Sequence, residues 1–238
     1  MASSELVTML NPRTMSFSVR SGGAPTFTAE DVNHALSYVT ELTKLGAALL
    51  HHMHTEVLSR FENVSTVNLS AEQMLADLMQ AERVRRMHEE HKTRVAYQIA
   101  KENYAATRSS SQQQERVLSK LRASHINAKD ALWPSRGDDI EKIYIGIRRT
   151  ILDDLKNGRV CKKCNGARRV ISDECLIVDC NECDGTGIRK SSLHKLAKNV
   201  GRHKNSVNDT WYDVYNYTYK IVRNELSKAQ KKFEEVTK

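Results

Sequence analysis

The 238-residue chain has few aromatic residues, which favour sheets, and little proline, which breaks helices: 6% of its residues are aromatic and three are proline. Leu, Ala, Glu, Lys, Arg and Gln recur in long runs instead, a composition that favours helix. No apolar run approaches the ~18 residues of a membrane-spanning helix, which excludes that class. The opening MASSELVTMLNPRTMSFSVRSGGAP lacks the basic-then-apolar order of a signal peptide. It reads as a disordered polar tail, residues 1–25, of a cytosolic protein. There is no G-x-S-x-G elbow, no Walker loop and no dinucleotide fingerprint, so no catalytic residue and no enzyme are expected.

One stretch lacks acid altogether. Between Ile188 and Asn208 stand Arg189, Lys190, Lys195, Lys198, Arg202 and Lys204, with no Asp or Glu. The net charge of +8 is carried almost wholly by residues 159–238, which hold 17 basic against 10 acidic side chains; residues 1–158 are near balance. A charge run is often just a solvated face, but confinement to one segment points to a polyanionic partner.

What the chain does have is helix signals. Phe27-Thr28-Ala29-Glu30-Asp31-Val32 reads as a capped start with a Phe27/Val32 staple. Val32, Ala35, Val39, Leu42, Gly46, Leu49 and Met53 then follow at spacings of three and four. A second cap and staple open at Leu69-Ser70-Ala71-Glu72-Gln73-Met74, with Leu78, Met87, Val95 and Ile99 as a more charged stripe. A third helix near RSSSQQQE carries Val117, Leu118 and Leu121; SSSQQQ is a loop or lies within one long helix. Pro134 and Gly137 stop the pattern, and Asp138 caps a helix to about Leu155 with Ile140, Ile143, Ile147, Ile151 and Leu155 on one face. Gly158 is expected as its left-handed terminator. These signals divide the chain into a helical region at 26–134, a bundle or a partner-binding arm, and a domain at 138–238, with the boundary at 134–138.

All five cysteines lie between 161 and 183. Cys161-x-x-Cys164, fifteen residues, then Cys180-x-x-Cys183 is the spacing of a four-thiolate zinc site. Each pair makes a tight knuckle, and two facing knuckles complete a tetrahedron. Asn165-Gly166 and Asp184-Gly185 supply the turns that let amide N–H groups point at sulfur. Disulfides fit a cytosolic chain poorly, and a redox motif comes as one pair within a βαβ pattern. One structural Zn²⁺ is therefore expected, with no open position for chemistry. Cys175 is read as a free thiol, with substitution for a ligand as the alternative. His51-His52-Met53-His54 and His88-x-x-His91 are read as solvated or core-edge histidines, because HEEH has the wrong spacing for HExxH.

The segment from Ser192 to Tyr215 fits a helix-turn-helix. Leu196, Ala197 and Val200 face inward from a short first helix, Gly201 makes the turn, and Val207 and Trp211 anchor a second that continues through Tyr219, Val222 and Leu226. An ordinary helical hairpin is the bland alternative. On the DNA reading His203, Lys204, Asn205, Ser206 and Asn208 meet base edges, while Arg189, Lys190, Lys195, Lys198 and Arg202 lie along phosphates.

The order helix, CKKCNG, loop, CNECDGTG, basic helix-turn-helix, TWYDVY resembles the Q antitermination proteins of lambdoid phages over roughly residues 138–230. The resemblance implies zinc on Cys161, Cys164, Cys180 and Cys183, and DNA contacts near 189–212. It implies binding to a late-promoter element and capture of RNA polymerase paused with its sigma factor, which then reads through pauses and terminators. The expected architecture is mainly α: a helical bundle or arm, then a helical domain with an inserted four-cysteine loop and a helix-turn-helix. Alternatives are a zinc-containing helix-turn-helix repressor or activator, and a cochaperone-like zinc module, since J-domain cochaperones share the double C-x-x-C-x-G.

Overall fold

The computed structural model describes residues 29–58, 70–107, 112–135, 137, 139–172, 176–183 and 187–236. The tail at 1–25, the Phe27/Thr28 start with its staple, Leu69, Asp138, Cys175 and the Asp184-Gly185 turn lie outside them. The chain is mainly helical: α1 Ala29–Leu42, α2 Lys44–Leu58, α3 Ala71–Ala106, α4 Gln112–Asp130, α5 Ile140–Asn157, α6 Leu193–Val200, α7 Lys204–Ser206 and α8 Tyr212–Val236. A π-helical turn, Val207–Trp211, joins α7 to α8. A short antiparallel hairpin, β1 Arg169–Ile171 and β2 Ile177–Asp179, pairs Arg169 with Asp179, Val170 with Val178 and Ile171 with Ile177.

Contacts divide the chain into two compact units, one of residues up to 76 together with 141 onward, the other of residues 77–140. This differs from a boundary at 134–138. Pro134 and Gly137 do interrupt the helices, but α1 and α2 use their apolar faces against α8. Gly46 sits so close to α8 that a Cβ would fall 2.6 Å from the Glu225 carbonyl oxygen and 2.7 Å from Ala229 Cβ. One turn before it, the Thr43 hydroxyl donates to the Glu225 carboxylate at 2.5 Å and accepts from Gly46 N–H at 3.0 Å. The helical register breaks there, and Leu42, expected on the inner stripe, is exposed.

In the same unit α5 buries Ile143, Ile147, Ile151 and Leu155, as its spacing predicts. Close approach to α6 runs through Gly146, where a Cβ would lie 3.0 Å from the Asn199 carbonyl oxygen. Gly158 does not end α5 in a left-handed conformation, since it is absent from the positive-φ glycines. Its requirement is space: a Cβ would overlap the Asp154 carbonyl oxygen and come within 2.3 Å of Ile188 Cγ2.

At the start of α3, in the first unit, Ser70 Oγ caps the helix by accepting from Gln73 N–H at 3.2 Å. In the second unit Arg86 holds Glu82 at 2.8 Å, the Ala131 carbonyl at 2.7 Å and the face of Trp133 at 4.6 Å. Yet α4 buries no residue, and Val84, Met87, Val95, Ile99 and Val117 are exposed. Of the stripe expected along α3, Leu78 alone is half-buried.

Candidate metal centre and basic two-helix head

The peptide runs out of α5 into the first knuckle and returns from the second beside it. Val160 bridges Ile188, Cys161 N–H donates to the Gly187 carbonyl at 2.9 Å, and Cys180 N–H to the Arg168 carbonyl at 2.8 Å. Asn165 (φ 48°) and Gly166 (φ 84°) take left-handed conformations in the first knuckle. Gly187 (φ 73°) does the same after the second, and its N–H donates to Cys183 Sγ at 3.3 Å. These turns bring Cys161, Cys164, Cys180 and Cys183, all buried, to one point, with every Sγ within 4.8 Å of the others. Val170, from the hairpin's inner face, covers them.

None of the four is in a disulfide. Cys161 Sγ lies 3.9 Å from Cys180 Sγ, and Cys164 Sγ 3.7 Å from Cys183 Sγ. A tetrahedron with metal–sulfur bonds of about 2.3 Å has edges of roughly 3.8 Å, so the donor set fits a four-coordinate ion. The protonation chemistry agrees. Burial pushes the Cys183 thiol up to about 12 and raises Cys164 as well. At Cys180 burial also pushes upward, but the amides of Cys183 and Glu182 outweigh it and bring the thiol down to about 7. The cluster therefore accommodates one thiolate readily and resists several, until a cation neutralises them. Among the described residues no other trio of His, Cys, Asp or Glu is gathered to hold a metal, and His88 and His91 belong to none.

The chain leaves the metal lobe into a buried polar junction. Asp154 of α5 accepts from Ser191 N–H at 3.0 Å, Ser191 Oγ at 2.6 Å, Tyr215 Oη at 3.0 Å and Lys195 Nζ at 3.0 Å. Burial, then the Asp154 charge, raises the Tyr215 hydroxyl far above its ordinary value, so it stays a donor. Sequence reading missed this hub. The signal was Asp154 itself, an acid seven residues after Ile147 and thus on the apolar face of α5.

Beyond the junction Ser192 Oγ caps α6 by accepting from Lys195 N–H at 3.3 Å, and Gly201 (φ 65°) ends it in the left-handed region. Arg202 N–H returns to the Ala197 carbonyl at 3.1 Å, and His203 Nδ1 caps the next helix by accepting from Asn205 N–H at 3.4 Å. Two helices are thus joined by the three-residue turn Gly201–His203. Leu196, Ala197, Val200, Val207 and Trp211 are buried beneath it, with Trp211 edge-on to Tyr144 at 5.4 Å.

Arg189, Lys190, Lys198, Arg202, His203, Lys204, Asn205, Ser206 and Asn208 are all exposed. Lys190 Nζ stands 5.2 Å over the Tyr219 ring. Lys195 departs from expectation: its ammonium is held by Asp153 at 2.8 Å and Asp154 at 3.0 Å, which removes it from the outward cations. Two exposed acids on the second helix, Asp209 and Asp213, went unremarked in the sequence. Comparison with protein-family models, with curated proteins and with solved structures finds no match.

Proposed function

We propose that this chain is a duplex-DNA-binding transcription protein whose reading head, residues 192–212, is a helix-turn-helix braced by one structural Zn²⁺. The observation that carries this reading is the head's construction: a capped helix of eight residues, a three-residue turn through left-handed Gly201, and a second helix anchored by Val207 and Trp211. That is the spacing the motif needs. Its rim supplies the charge: Arg189, Lys190, Lys198 and Arg202 are exposed, and on this reading they would lie along phosphates and release counterions. His203, Lys204, Asn205, Ser206 and Asn208 would face base edges. Lys195 would act indirectly, by fixing α6 on α5.

Zinc suits a closed set of four thiolates, which leaves no position for water or substrate, so on this reading the centre is structural and supplies no metal catalysis. Metal lobe and head share the Asp154 junction, so ordering one would order the other. On the resemblance to the Q antiterminators, the head binds a late-promoter element and the rest of the protein engages paused bacterial RNA polymerase in the cytoplasm. No helix among the described residues is long and apolar enough to cross a membrane.

The test is transcription past a terminator by purified polymerase with sigma factor, on templates carrying or lacking the candidate promoter element. Promoter-dependent read-through on adding the protein is expected. Binding to the element without read-through would leave a repressor or activator and overturn antitermination. One observation favours a cochaperone-like module: Ile171 and Ile177 form an apolar pair on the hairpin's outer face, 73% and 72% exposed. That reading predicts salt-insensitive capture of unfolded chains and indifference to DNA.

A further inference from the structure

Asp209 is the anomaly of the head. It lies within the π-helical turn Val207–Trp211, closed by Tyr212 N–H to the Val207 carbonyl, a widened turn of the kind that recurs at functional sites. Val207 and Trp211 are buried at its two ends, so Asn208, Asp209 and Thr210 form its exposed arc. Among the described residues the Asp209 carboxylate has one hydrogen-bond partner, Asn208 Nδ2 at 3.2 Å, and no basic side chain neutralises it. An exposed, unneutralised carboxylate on a helix proposed to enter a polyanionic groove weakens binding to every sequence. Its place there is explained if it takes up a hydrogen bond that only some base pairs offer.

We infer that Asp209 is a specificity-determining residue, selecting a C·G pair by accepting from the cytosine N4 amino group in the major groove. The inference rests on the DNA-binding reading above. The chemistry discriminates among bases. Guanine presents two acceptors there and thymine an acceptor and a methyl group, all unfavourable to a carboxylate. Adenine presents an amino donor beside the N7 acceptor, which repels the second oxygen. Cytosine presents a donor with no acceptor. The bond from Asn208 ties the carboxylate to a side chain already assigned to base edges.

The experiment is selection from a randomised duplex pool by the full-length, zinc-loaded protein, alongside Asp209→Ala, Asp209→Asn and Lys198→Ala. Asp209 and Lys198 are exposed, so zinc content and helical circular dichroism should match wild type in all three variants. The wild type should enrich a motif containing a C·G pair whose preference falls about tenfold in Asp209→Ala. Asp209→Asn should move that position toward A·T, because a carboxamide matches the adenine N6/N7 pattern. Affinity for a scrambled duplex should rise about twofold in both, whereas Lys198→Ala should lower affinity for all sequences alike. An unchanged motif in Asp209→Ala and Asp209→Asn overturns the inference while leaving DNA binding intact. Failure of the wild type to bind any duplex overturns the DNA-binding reading, and this inference with it.

Discussion

The two units keep helices together by different means. Residues 77–140 form a helical hairpin in which α4 buries nothing and apolar side chains face outward along α3. It is held by sparse contacts near the surface, such as Arg86 joining Glu82, Ala131 and Trp133. The other unit is held by buried ones: Gly46 against α8, Gly146 against α6, Asp154 joining Ser191, Lys195 and Tyr215, and four sulfurs drawn from two ends of a hairpin. The contrast teaches where substitutions should matter. A change in a packed, buried contact leaves a cavity or an unpaired group; a change on an exposed face leaves neither.

The largest effect should come from the metal ligands. Cys180→Ser, or a strong chelator on wild type, should abolish one bound Zn²⁺ per chain, removing a contribution on the order of 10 kcal/mol. Amide exchange at Cys161 and Cys180 should become fast while residues 77–130 keep their protection, which sharpens the contrast between the units. Loss of protection in both would break it. Next comes Trp211→Ala, which empties the space beside Tyr144 and should cost about 3–5 kcal/mol in urea unfolding.

A smaller effect is expected on acidification. The Asp153 carboxyl is held below its ordinary value of 3.8 by its hydrogen bond from Lys195 and then that from Asn157. A depressed folded-state value adds stability that is present above the ordinary value and lost as pH falls through the lower one. Because both partners are substantially exposed, the loss should be under ~1 kcal/mol, and Asp153→Asn should remove that part of the pH dependence. Smallest of all, Ile99→Gln on the exposed face of α3 should change thermal stability by no more than about 0.5 kcal/mol.

What could be read from sequence was what depends on neighbours in the chain. The buried face of α5, the Ser70 cap, the Gly201 turn and the convergence of Cys161, Cys164, Cys180 and Cys183 all follow from spacing or one-turn geometry. What could not be read depends on partners far away in sequence. Gly158 is small because Ile188 lies against it, not because the backbone is left-handed. Lys195 looks like any other cation of the basic segment until Asp153 and Asp154 come beside it. The break at Thr43 is explained by Glu225, 182 residues on. Even the hairpin between the knuckles has just three residues per strand, too few for a period-two pattern to register.

The central claim is that a four-sulfur metal site orders a cationic head for duplex DNA. Its most direct test is the affinity of the full-length protein for a fluorescent duplex carrying the selected motif, across a salt series, with zinc bound and after its removal. The account predicts tight binding that falls linearly in log–log form with salt when zinc is bound, and loss of sequence preference once it is removed. Equal affinity and equal preference in the zinc-free protein, with metal loss verified on the same sample, would contradict it.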